Sequence, residues 1–189
     1  MSRKPEYSIN AVFEKAIPLV LAQGFRGCSM QTLIAETGFN RRAFYLEFKN
    51  KQRFVEVLLA YYIAQKLDPI QQGLLQSDNY PLAIVQFFKD YQQHIDQQGC
   101  LLVRLILELG KEDEQVRHQA RTYYDALQSS FIACLEKAVS HDQLPKSTKI
   151  EALALKLSCF AQGFAVSNNI QQGQSDVLIV IQSLFDQDT

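Results

Sequence analysis

At 189 residues with 47% apolar side chains, the chain can bury one large core or a small and a larger one, and global disorder is excluded. Eight glycines and five prolines leave few turn signals, which argues for an all-α chain over a sandwich or barrel. The formal charge of −1 hides an asymmetry: residues 1–66 hold ten Lys/Arg against five Asp/Glu, and residues 67–189 hold nine against fifteen, so a polyanion would meet only the front.

Ser2 to Tyr7 read as a short flexible arm. From Ile9 to about Gln23 the apolar residues Ile9, Val12, Phe13, Ala16, Ile17, Val20 and Leu21 fall at three- and four-residue steps, the pattern of a helix with one buried stripe. Pro18 lies inside it and predicts a local kink, because proline removes an amide and crowds the preceding turn. Gly24 ends this helix, Gly27 helps the turn, and Phe25 between them plugs a small core.

The stretch Ser29 to Lys51 then reads as two short helices joined by a tight turn. Leu33 and Ile34 give the first an apolar side, and Gly38 ends it where positive φ is needed. Asn40 is placed to cap the second, whose buried side is Phe44 and Phe48. Its other side carries Arg41, Arg42 and Tyr45. Cations and a phenol on a free helix face suit a DNA groove, the cations meeting phosphates or guanine edges. The same residues also suit an ordinary helical hairpin with a solvated basic face.

Lys51 to about Gln76 reads as a long connecting helix that frays or bends near Pro69 and Gly73. Ser77 to Pro81 form a break, followed by a helix to about Gln97. Gln98 and Gly99 interrupt before a short apolar helix from Cys100 to Leu109. Further helices run from about Glu114 to Ser140, Ser147 to Ile170 and Asp176 to Phe185.

A first helix ending in Ala22-Gln23-Gly24-Phe25, a second ending in Glu36-Thr37-Gly38, a third holding Phe44-Tyr45-Leu46-Glu47-Phe48, and then Lys49-Asn50-Lys51 together resemble the TetR family of bacterial transcriptional regulators. The resemblance covers about residues 9–60. It implies a helix-turn-helix DNA-binding domain at 1–50 and a larger helical ligand-binding and dimerisation domain at 51–189. It places Gln31 close to DNA, turns Arg41, Arg42 and Ala43 to the groove, and sends Tyr45 and Lys51 to phosphates, with Asn40 at the helix start. Positions 42, 43 and 47 depart from the family pattern, where small, hydroxylated and neutral polar residues are more usual. Arg42 can add a guanine contact and Ala43 can touch a thymine methyl, while Glu47 repels phosphate and receives no DNA role.

The last two helices are apolar over more than one face, with Leu153, Leu157, Phe160, Phe164 and Ile170 joined by several alanines, and Val177 to Ile181 nearly all aliphatic. Such a helix buries two sides, either deep in a core or in a homodimer interface, and the resemblance points to a homodimer built on a four-helix bundle. Two reading heads then meet two half-sites of a pseudo-palindromic operator, about 34–36 Å apart. Phe87, Tyr91, Tyr123, Tyr124, Phe160 and Phe164 are candidates to line a small-molecule effector pocket, or are core only. Cys100 follows a glycine at a helix start with Arg104 one turn on, a setting that lowers a thiol pKa. It is a candidate thiol sensor, resembling a group of family members that respond through a cysteine, or is simply a small buried hydrophobe. Cys134 and Cys159 read as core, and Cys28 as mildly exposed.

No zinc spacing, HExxH pattern, phosphate loop or nucleophile elbow occurs, so no metal, cofactor or enzymatic role is expected. No apolar run approaches the ~20 residues that span a bilayer, and the thiols read as reduced in a cytoplasm. The expectation is a DNA-binding transcriptional regulator, a repressor released from its operator by a small-molecule ligand or by cysteine modification. The alternative is a helical adaptor whose basic front binds an acidic partner.

Overall fold

The computed structural model describes residues 8–95, 99–171 and 177–185. The expected arm at Ser2 to Tyr7 and the interruption at Gln98 lie outside the described residues, as do the side chains of Ile170 and Val177. No strand occurs among the described residues, and the all-α expectation holds.

The first three helices are α1 (Ile9–Gly27), α2 (Met30–Thr37) and α3 (Arg41–Phe48). Val12, Phe13, Ala16, Ile17 and Val20 form the buried stripe of α1, as their spacing requires. The kink expected at Pro18 falls elsewhere: the non-helical dihedrals of α1 are at Gly24, φ 75° and ψ 164°. The missing amide at Pro18 is tolerated within the helix, whereas positive φ at Gly24 turns the chain.

Next come α4 (Lys51–Tyr62) and α5 (Asp68–Gln72), where one long helix bending near Pro69 and Gly73 was expected. Ile63–Leu67 between them winds as a wider π turn, with the Asp68 amide reaching back to the Ile63 carbonyl. The cause is Pro69, which has no amide to give and is accommodated in the first turn of α5. A short 3₁₀ turn, Gly73–Leu75, completes the bend.

The body continues with α6 (Tyr80–Ile95), α7 (Leu101–Leu109), α8 (Glu114–Ser140), α9 (Ile150–Gln171) and α10 (Val177–Phe185). Asn79 Oδ1 accepts from the Leu82 amide at 3.1 Å, and Asp113 Oδ1 from the Val116 amide at 2.9 Å, so polar caps start α6 and α8. The long α8 packs along α9 and also meets α4, α6 and α7, while α10 lies against α6.

The helix α9 settles which face of the tail is free. Leu153, Leu157, Ala161 and Phe164 are buried, but Leu155 is 51% and Val166 41% exposed. Cys159 lies on that outward side and is exposed, contrary to its expected place in the core, and Cys28 is buried instead of mildly exposed. A deep-core position for α9 is therefore excluded within one chain. By length and composition Ile150–Ser167 is also apolar enough to cross a bilayer, which the count of uninterrupted apolar residues had not foreseen. Its inner face is engaged by the body.

Candidate nucleic-acid interface

Local chemistry builds the α2–α3 hairpin. Ser29 Oγ accepts from the Thr32 amide at 3.0 Å and starts α2. Gly38 adopts φ 70°, the left-handed turn that ends it. Asn40 Oδ1 then accepts from the amides of Arg42 at 2.8 Å and Ala43 at 3.3 Å, which starts α3. Phe44 and Phe48 pin α3 to the core, their rings 5.2 Å apart and each within 6.0 Å of Phe39.

What remains outward on α3 is Arg41, Arg42, Tyr45, Leu46 and Glu47. Tyr45 is 43% and Leu46 75% exposed, and neither arginine has a carboxylate partner among the described residues. Gln31 is exposed on α2 and lines one shallow groove together with Arg41, Ser29 and Ile34. Ala43 is half-buried. Leu46 is the residue that sequence reasoning missed; its signal was a leucine four residues after Arg42, on the same helical face.

Two expected contact residues are already engaged. The side-chain oxygen of Asn40 is used as the cap. Lys51 points inward: its ammonium donates to the Phe25 carbonyl and sits 4.2 Å from the centre of the Phe25 ring. Burial holds its pKa below the usual lysine range. Lys51 thereby ties α4 to the end of α1.

That tie belongs to a seam joining the reading unit to the body. The Arg26 amide donates to Glu108 Oε2 at 3.2 Å, and its guanidinium meets Glu112 at 2.7 Å. Gln52 on α4 donates to Asp113, and Gln119 on α8 to the Glu56 carbonyl at 3.1 Å. Gly24 is pressed against this seam, where an added methyl would meet the Glu108 carboxylate and lie 2.7 Å from Arg104 Nη2.

Two family models match the chain: bacterial regulatory proteins of the tetR family over residues 12–58, and the tetracyclin repressor-like C-terminal domain over residues 82–178. The chain belongs to the TetR family. It is 22% identical to the transcriptional repressor DhaR of a Mycobacterium species over 162 residues, 85% of this chain and 82% of DhaR. It is 26% identical to YerO of Bacillus subtilis, an HTH-type transcriptional regulator, over 68% of this chain, and the match spans about half of YerO, 48%. CifR, solved as a cysteine mutant with 26-base-pair operator DNA, is 18% identical and superposes with a TM-score of 0.82 over 99% of this chain and 100% of CifR. The reduced form of NemR from E. coli is 20% identical with a TM-score of 0.78, over 94% of this chain and 95% of NemR.

In this TetR-family chain the start of α7 holds Cys100, 1% exposed. Tyr62 Oη donates to its Sγ at 3.7 Å and is itself 2.7 Å from His94 Nε2. Tyr62, Tyr91, Tyr123 and Tyr124 are all held above the usual phenol range, by burial first and by the neighbouring thiol second. The thiol was expected under the influence of Arg104, but that guanidinium pairs with Glu108 at 2.6 Å. The six rings expected to line a pocket pack on one another in pairs: Phe87 stacks on Tyr91 at 6.0 Å, Phe160 on Phe164 at 6.0 Å, and Tyr123 meets Tyr124 at 5.5 Å. Tyr124 alone of the six lines the groove between α7, α8 and α9.

Proposed function

We propose that the chain is a homodimeric regulator of transcription, without enzymatic activity, that reads an operator with α3 and is released by a change in its body. The observation that carries this reading is the outward row Arg41, Arg42, Tyr45 and Leu46 on a helix whose opposite side is locked into a ring cluster. Arg41 and Arg42 supply charge and guanine recognition, Tyr45 donates to a phosphate, and Gln31 and Ala43 flank the same surface. The oxygen of Asn40 serves the fold, leaving its amide group for DNA. Leu155 and Cys159, one turn apart on α9, supply the symmetric contact that sets the distance between two heads.

Release follows from the seam. A change that shifts α7 moves Glu108 and Glu112 against Arg26, and so moves α1 and the reading helix. Cys100 is placed for such a change: any group added to its buried sulfur has to displace Tyr62 or the start of α7. Sites selected from random DNA, followed by a gel-shift salt titration, test the reading. Arg42→Ala should lose about 1–3 kcal/mol of discrimination at one base position, while Tyr45→Phe should weaken every site alike. A uniform loss for both variants would sink the base-reading role of Arg42. In a Cys159→Ala background, alkylation with N-ethylmaleimide should abolish operator binding, and adding Cys100→Ser should spare it.

A further inference from the structure

A groove of about 320 Å³ lies between α7, α8 and α9. Val103 and Ile106 from α7, Ala120 from α8 and Val166 from α9 give it apolar walls. Arg117 and Arg121 border it, four residues apart and so on one face of α8. Arg117 Nη1 donates to the Gly110 carbonyl at 2.9 Å, and neither guanidinium meets a carboxylate among the described residues.

We propose that this groove is the effector site and that it takes a small amphipathic anion, a hydrocarbon or aryl body bearing a single carboxylate. The proposal rests on the regulator reading above. Two guanidiniums without a carboxylate offer forked, charge-assisted donors that fit a planar acid. The walls offer burial to a hydrocarbon body and nothing to a second charge. A cation would be repelled, and a neutral analogue would gain the walls alone. The position also explains how occupancy would be felt. Val103 lies on α7 one turn from Cys100, and Tyr124 carries the wall to the phenol cluster around that thiol. Val166 belongs both to the groove and to the outward side of α9.

Calorimetric titration of the full chain with octanoate and with octanol tests the site. Octanoate should bind once per chain, and octanol at least about ten-fold more weakly. Arg121→Gln should weaken octanoate on the order of ten-fold without changing the melting temperature or octanol binding. Val166→Phe, which fills the groove, should block octanoate while the protein stays folded. Equal affinity for acid and alcohol, or octanoate binding unchanged in both Arg117→Gln and Arg121→Gln, overturns the proposal. So does a wild-type dimer that refuses octanoate and dissociates on Leu107→Glu, since the groove would then be covered by a second copy. Operator binding is measured separately without octanoate. Octanoate binding with no selectable DNA sinks the regulator reading and leaves the groove standing, and the reverse result sinks the groove alone.

Discussion

The core of the reading unit and the core of the body are made of different matter. Around α3 the buried rings are phenylalanines: Phe13, Phe44, Phe48 and Phe54 meet at 5.0–6.0 Å and carry no polar atom. Around the start of α7 the buried rings carry hydroxyls, and with them lie an imidazole and a thiol. A phenylalanine core has one way to be satisfied and is indifferent to pH and to electrophiles. A core of phenols, His94 and Cys100 depends on hydrogen bonds that protonation or alkylation changes. The same helix enters both: Phe54 and Tyr62 stand on α4, eight residues or about 12 Å apart. A fixed reader and an adjustable interior thus share one rigid part.

The sharpest way to break this contrast is at the phenylalanine core. Phe48→Ala should cost about 3–5 kcal/mol, because the ring is 2% exposed and touches Phe13, Phe39, Phe44 and Phe54. Chemical denaturation should show that loss, and DNA binding should vanish with it. A variant of near wild-type stability would mean that the head is loosely packed and that its geometry is not what fixes the reading helix.

The seam between the two regions gives the next effect. Gly24→Ala places a side chain at φ 75° against Glu108, so a loss of about 1–3 kcal/mol is expected. If the seam also sets the angle of the head, operator affinity in this variant should fall while the base preference read by Arg42 is kept. Altered preference with intact stability would place the damage inside α3 instead. Lys51→Met should act mainly on stability, by about 1 kcal/mol, since its ammonium serves Phe25. A salt slope of operator binding lowered by a full phosphate contact would instead return Lys51 to the DNA.

These two regions also differ in how far the chain announces them. The reading unit was legible because its signals are local: Ser29, Gly38 and Asn40 each act within three residues, and Phe44 and Phe48 are one turn apart. The inward turn of Lys51 was not legible, because its acceptor lies 26 residues earlier and meets it only after folding. The break at Gly24 was read from the glycine itself, but its neighbour was hidden, since Glu108 on α7 is what Gly24 has to clear. Cys100 was singled out for its place at a helix start, which holds, but its phenol neighbours come from α4, α6 and α8. Periodicity showed that α9 had two apolar faces and not which of them the body would use, so Cys159 was turned the wrong way.

The smallest expected effect tests the interior directly. Burial, and then the charge of Lys66, hold the His94 imidazole below its ordinary 6.5, so the folded chain keeps it neutral where the unfolded chain takes a proton. The unfolded state therefore binds more protons below about 6.5, and stability should fall as pH drops through that value and on toward the folded pKa. Above it both states are neutral and the contribution is fully present. Glu14, held below the ordinary range, loses its contribution as pH falls below 4.5, whereas Asp68, held above it by burial, loses its own as pH rises through its raised value and so slopes against His94. Melting curves between about pH 5.5 and 7.5 should thus slope upward with pH in the wild type and flatten in His94→Gln, which keeps a side-chain partner for Tyr62. A slope that survives the substitution would assign it to another group and would remove His94 from the list of adjustable contacts in the body.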